Sequence, residues 1–233
     1  MKKRFAAFVS TVLAAVLCAC SAAPKDVLPN KAAQPTEAPT QQAQTTQAAP
    51  TEQPTPEPDP VQQLLEEMTM EQKVGQLFLV RPDSLDLSQT QDQINDAKAD
   101  GVTELTDAMR QTLAEYPVGG VVIFGKNLES PQQITQFLDD LQQASDTPLF
   151  TAIDEEGGLV ARLANNAAFD LPQYESAAAV GTSGNPEDAR AMGRTIGGYL
   201  KKYGFNLDFA PVADVNTNPD NPVIGTRAFS SEP

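Results

Sequence analysis

Val118-Gly119-Gly120-Val121-Val122-Ile123-Phe124 is apolar at every position and gives way to the polar pair Lys126-Asn127. A continuous apolar run, as opposed to an alternating one, suits a parallel strand covered on both faces. The residues that follow agree with this. Ser130-Pro131 caps a helix with Ile134, Phe137, Leu138 and Leu141 on one face, and Pro148-Leu149-Phe150-Thr151-Ala152-Ile153 reads as the next strand. Asn185-Pro186-Glu187-Asp188 opens a further crossover helix. Its inner stripe is Ala189, Met192, Gly193, Ile196, Gly197 and Leu200, Gly204 ends it, and Phe205 to Val212 reads as a fourth strand.

Working backwards, Thr103 is placed to cap a helix carrying Leu105, Ala108, Met109, Thr112 and Leu113, and the polar residues 83–100 read as a surface insertion. Gln76-Leu77-Phe78-Leu79-Val80 reads as a short buried strand stopped by Pro82, preceded by a helix over 61–74. Helices alternating with strands, joined by crossovers of this length, predict an α/β fold with a mainly parallel sheet. Spacing alone leaves open a doubly wound sheet and part of a (β/α)₈ barrel. No G-x-G-x-x-G follows the first strand, so a dinucleotide fold has no support.

Polar residues gather where each strand ends: Arg81 and Asp83, then Lys126 and Asn127, then Asp154-Glu155-Glu156 with Gly157-Gly158, then Asp214, Asn216 and Asn218. In both parallel architectures ligands bind at that face. Strand alternation forbids the three adjacent carboxylates from all pointing inward, and Arg162 stands eight residues beyond Asp154 to balance one of them. Taken singly, Glu155 and Glu156 read as solvated loop residues in ion pairs. Oxygen ligands could hold Ca²⁺ or Mg²⁺, but the spacing is that of no standard cation loop, and no metal or cofactor is expected. Carboxylates that accept two hydroxyl hydrogen bonds, beside a forked arginine, suit a sugar.

The 233 residues carry 31 acidic against 16 basic side chains, a formal charge of −15. That charge repels nucleic acid and anionic lipid surfaces, so neither is expected as a direct partner. There is no His, which excludes a His triad, His base or His metal site within these residues, and the only cysteines are Cys18 and Cys20.

Lys2-Lys3-Arg4 followed by the apolar stretch Phe5 to Leu17 has the form of a signal peptide. Leu17-Cys18-Ala19-Cys20 resembles a bacterial lipobox, which implies removal of residues 1–19 and lipidation of Cys20. Residues 20–60 are rich in Pro, Thr, Gln and Ala, with no aromatic side chain. They cannot bury enough surface to offset the entropy of ordering, and read as a disordered tether. The expectation is a body over 61–233 held by lipid at the extracytoplasmic face of the cell membrane.

Ile153-Asp154-Glu155-Glu156-Gly157-Gly158-Leu159-Val160-Ala161-Arg162-Leu163 resembles the I-D-x-E-G-G-x-V-x-R-L segment of family 3 glycoside hydrolases. Gly204 to Asn216, continuing into Asn221-Pro222-Val223-Ile224-Gly225-Thr226-Arg227-Ala228-Phe229, is similar to a second segment in the form of its β-N-acetylglucosaminidase branch, and Met68 to Leu77 also fits. Leu159 and Glu155 depart from the Arg and Gln more frequent in that branch. The resemblance implies a TIM-type (β/α)₈ barrel, of which about the first half (four strands) lies here. It also implies retaining hydrolysis of terminal β-linked N-acetylglucosamine, with peptidoglycan fragments as the expected source, and Asp154, Arg162 and Arg227 binding the sugar. Another family 3 exo-glycosidase, such as a β-glucosidase, and a non-catalytic sugar-binding lipoprotein are the alternatives. The family's substrate-binding Lys-His pair, His acid/base and Asp nucleophile fall beyond the last matching segment. The chain is therefore expected to be a fragment that holds no catalytic residue and is inactive alone.

Overall fold

The computed structural model describes residues 59–233; the expected signal peptide, Cys20 and nearly all of the expected tether lie outside the described residues. The last tether residues are already structured. Asp59 caps α1 (Pro60–Glu67), its Oδ1 accepting from Val61 N at 3.0 Å, with Pro60 in the first turn. The predicted single helix over 61–74 is two. Met68 is extended, and Thr69 opens α2 (Met70–Gly75) with a capping box: Thr69 Oγ1 accepts from Gln72 N, and Gln72 Oε1 from Thr69 N. A strong local start signal interrupts an otherwise helical apolar pattern.

Strand β1 is only Leu79–Val80. Leu77 and Phe78 donate backwards to Val74 O and Gly75 O in a turn, Leu77 is 80% exposed, and Phe78 meets the neighbouring segment through its carbonyl, which accepts from Gly119 N at 2.9 Å. A 3₁₀ turn (Pro82–Leu85) and α3 (Gln91–Asn95) follow. The segment expected as a surface insertion instead buries Asp83, Leu85 and Ile94. Helix α4 (Asp107–Glu115) is capped by Thr106, whose Oγ1 accepts from Met109 N, and not by Thr103. Thr103 O accepts from Gln133 Nε2 instead.

Strand β2 (Gly120–Ile123), α5 (Pro131–Ala144) capped by Ser130, and β3 (Phe150–Ile153) follow the predicted order with shorter strands. A hairpin, β4 (Glu155–Gly157) with β5 (Val160–Ala161), and the short α6 (Ala177–Thr182) come next. Helix α7 (Pro186–Lys202) is capped by Asn185 and precedes β6 (Leu207–Asp208). Gly204, at φ 95°, lets the chain leave α7 by a Schellman turn, with Phe205 N on Leu200 O and Gly204 N on Lys201 O. Gly193 and Gly197 of the predicted inner stripe are exposed, whereas Met192, Ile196, Tyr199 and Leu200 are buried. A last 3₁₀ turn spans Gly225–Arg227.

All three pairings in the main sheet are parallel, and the strands stand in chain order, β1-β2-β3-β6, with no reversal. The core lies between this sheet and its helices. Ile134, Phe137, Leu138 and Leu141 of α5 are buried beside Val121, Ile123 and Ile153 of the sheet. Each such side chain stabilises the fold by about 1.5–3 kcal/mol relative to exposure. Among the described residues no helix is long and apolar enough to cross a membrane.

Candidate functional site

The register aligns Ile123 with Ile153 and Ile153 with Asp208, so the segments after Ile123 and Ile153 leave the sheet together at one edge. The first part of that edge is closed on itself. Asp83, fully buried, forms an ion pair with Lys126, Nζ to Oδ1 3.2 Å, and accepts from Asn127 Nδ2 at 3.0 Å and from Val102 N at 3.1 Å. Lys126 Nζ also donates to the carbonyls of Gln93 and Ile94, while Asn127 donates to Val102 O and accepts from Phe124 N. Arg81 donates to Ile94 O at 2.7 Å and stacks 4.3 Å above the Phe124 ring. These residues, expected at a ligand face, tie residues 83–102 to the end of β2, and the lysine, 6% exposed, is turned into that network and away from solvent.

The segment after β3 is built differently. Gly157 and Gly158 turn the chain at φ 84° and 68°, and a Cβ on Gly158 would stand 2.9 Å from Glu175 O and Ser176 Cα. Only glycine fits there, and the turn returns the chain antiparallel, pairing Glu155 with Ala161. Arg162 then comes back beside Asp154, Nη2 to Oδ2 3.2 Å. Both remain partly exposed, at 34% and 27% of their side-chain surfaces. Among the described residues Arg162 Nε is buried with no partner, and Arg162 Nη2 makes the single hydrogen bond found on the Asp154 carboxylate.

Glu155 points the other way and is fully buried, contrary to its reading as a solvated residue. Its Oε2 accepts from Leu163 N at 2.8 Å, and its Oε1 from Ala164 N at 2.9 Å and Tyr199 Oη at 2.8 Å. Burial, reinforced by the charge and hydrogen bond of Glu155, pushes the Tyr199 phenol far above its ordinary range. Glu155 N donates to Asp208 Oδ1 at 3.0 Å. Burial pushes the Asp208 carboxyl up to about 6, opposed by that hydrogen bond and aided by the charges of Glu155, Asp154 and Glu156.

Glu156 is also buried rather than solvated, and it meets Arg227 from a loop far along the chain: Nη2 to Oε1 2.6 Å, Nε to Oε2 2.8 Å. Arg227 Nη1 reaches Val223 O at 3.2 Å. The hydrogen bonds that Arg227 donates to Glu156 lead in raising the guanidinium above its ordinary range, opposed by burial and aided by the charges of Glu156, Asp154 and Asp214. The hairpin thus brings all three expected sugar-binding residues, Asp154, Arg162 and Arg227, around one short segment. What the sequence reading missed is Glu155, Tyr199 and Asp208, joined underneath it. Of the expected fourth cluster, Asp214 is exposed, Asn218 caps its own turn by accepting from Asp220 N, and Asn216 Oδ1 is buried without a partner. The cause is that β6 ends at Asp208, well before them. Among the described residues no group of three or more carboxylate or cysteine side chains could hold a metal ion.

Residues 69–233 match the family described as "Glycosyl hydrolase family 3 N terminal domain". Beta-hexosaminidase A of Pseudoalteromonas piscicida is 36% identical over 57% of this chain and 23% of its own length. A beta-hexosaminidase of Thiobacillus denitrificans is 33% identical over 56% of this chain and 37% of its own. Among solved structures, a family 3 β-N-acetylglucosaminidase from Paenibacillus sp. str. FPU-7 superposes with a TM-score of 0.57 at 34% identity, covering 70% of this chain and 27% of that one. The chain therefore spans well under half the length of these relatives. With the match running from the capping box at Thr69 through the hairpin and Arg227, this chain belongs to glycosyl hydrolase family 3 through that family's N-terminal domain.

Proposed function

We propose that the protein removes terminal β-linked N-acetylglucosamine with retention, and that these residues supply its sugar-binding part. The observation that carries this reading is the Asp154–Arg162 pair. It sits where β3 ends, is about a third open to solvent, and among the described residues leaves one carboxylate oxygen and most guanidinium N–H groups without partners. A carboxylate accepting from ring hydroxyls, flanked by arginine donors, matches the pattern of a sugar. The relatives' names, beta-hexosaminidase and β-N-acetylglucosaminidase, support the substrate class.

Retention requires a nucleophile and an acid/base on either side of the bond. The family's acid/base is a His, and the 233 residues contain none. We assign both groups to parts of the protein that these residues do not contain. The strands standing in chain order support reading them as about the first half of a (β/α)₈ barrel, since a doubly wound sheet reverses its order at a switch point. Lipidation of Cys20 and attachment at the extracytoplasmic membrane face rest on the lipobox-like Leu17 to Cys20 and are tested by Cys20→Ala, which should release the protein from membranes or block its processing.

The test of function is twofold. The 233-residue chain should bind N-acetylglucosamine in preference to glucose, by NMR titration, and should not hydrolyse a chromogenic β-N-acetylglucosaminide. Preference for glucose would favour a β-glucosidase. Turnover by this chain would place the catalytic groups among Asp154, Glu156 and Asp214.

A further inference from the structure

The two arginine–carboxylate pairs of the hairpin are made differently. Arg162 meets Asp154 through one nitrogen at 3.2 Å, and its Nε is unpartnered. Arg227 meets Glu156 side-on through Nε and Nη2, and its Nη1 is held by Val223 O. A guanidinium has five N–H groups. Three are engaged here, which leaves one on each terminal nitrogen. Among the described residues the only hydrogen bonds on the Glu156 carboxylate come from Arg227. Strand alternation puts Asp154 and Glu156 on the same face and Glu155 on the other. The charge of Asp154 is near enough to help keep Arg227 protonated.

We propose that Glu156 is a positioning residue. It fixes the Arg227 guanidinium by its inner edge so that the two remaining N–H groups are presented, preorganised, to a sugar held at Asp154. This rests on the sugar-site reading above. Arg227 lies in the stretch after β6 where the 3₁₀ turn Gly225–Arg227 is the only regular element, and Glu156 is 71 residues earlier. Without the fork, the arginine would sample many rotamers and would have to be ordered by the ligand at the ligand's expense.

The test uses the 233-residue chain with N-acetylglucosamine as probe. In the sugar-free protein, the Arg227 Nε–Hε NMR signal should be shifted downfield and slow to exchange. In Glu156→Gln an amide N–H faces the guanidinium where an oxygen stood, and that signal should move to the position of a free arginine. Sugar affinity should fall about tenfold, the scale of one charge-assisted hydrogen bond. Arg227→Lys should lose a similar factor, and the double variant should be no weaker than the worse single one. Glu156→Asp keeps the charge but is one methylene short of the fork, and should bind as weakly as Glu156→Gln with little loss of thermal stability. Should Glu156→Gln fail to fold, this variant decides. Two results overturn the proposal: an unchanged Arg227 signal in the folded Glu156 variants, or wild-type affinity in Glu156→Asp while Arg227→Lys binds weakly. If the unaltered chain does not bind the sugar, the sugar-site reading fails, and the NMR signal still decides whether Glu156 fixes Arg227.

Discussion

Two polar clusters stand at the same edge of the sheet, one after β1 and β2, the other after β3. In the first, Asp83, Lys126 and Asn127 satisfy one another and the backbone between residues 93 and 102, and Lys126 keeps only 6% of its side-chain surface exposed. In the second, Asp154 and Arg162 touch once and stay about a third exposed. Their residue types are much the same. What separates them is hydrogen-bonding capacity left unused at the surface, and the proposed sugar site rests on that difference. A strand-end position is a weaker sign, because a closed network there serves the fold.

The largest effect expected from this contrast is on stability. Asp83→Ala should cost about 3–5 kcal/mol, since it strands the buried Lys126 ammonium, and chemical denaturation should show it. Glu155→Ala should cost about 3 kcal/mol, because Leu163 N, Ala164 N and Tyr199 Oη all lose their acceptor. Asp154→Ala should do the reverse. A single, part-exposed ion pair contributes under about 1 kcal/mol to the fold, whereas N-acetylglucosamine affinity should fall about ten- to a hundredfold, as one or two charge-assisted hydrogen bonds are lost. Asp154→Asn, which keeps an accepting oxygen, should lose less. If Asp83→Ala weakens sugar binding in molecules that remain folded, or Asp154→Ala destabilises as strongly as Asp83→Ala, the two clusters do not differ as described.

The order of helices and strands was legible because apolar runs and caps such as Ser130-Pro131 and Asn185-Pro186 are local signals. Strand lengths were not. Leu77, Phe78 and the residues after Asp208 are apolar enough for a sheet, but turn hydrogen bonds in one case and the end of pairing in the other remove them from it. In the site, alternation foretold that Asp154, Glu155 and Glu156 could not share a face, and Arg162 was legible as balancing one of the three carboxylates but not which one; it is Asp154. Nothing local could reveal the partner of Glu155, because Tyr199 lies on a helix 44 residues away. The burial of Asp83 was hidden for the same reason: its partners Val102 and Asn127 are distant in sequence.

The smallest effect expected is a pH dependence from the floor of the open cluster. Asp208 titrates near 4 in an unfolded chain and about 6 in the folded one. Between those values the folded state holds a proton that the unfolded state has released. Its contribution to stability is therefore complete below about pH 4 and lost as pH rises through about 6. Two pH units correspond to nearly 3 kcal/mol at full burial, but Asp208 is only partly buried, and solvent reduces this to about 1 kcal/mol. Asp208→Asn abolishes the titration while its amide oxygen still accepts from Glu155 N. Denaturation at a series of pH values should show the variant gaining about 1 kcal/mol on the parent between pH 4 and pH 7. The subtraction is needed because Asp86, lowered by its hydrogen bonds from Ser88, acts in the opposite sense, losing its contribution as pH falls. Parallel curves for parent and variant would mean that neither burial nor the neighbouring charges of Glu155, Asp154 and Glu156 raise the Asp208 carboxyl in the folded protein.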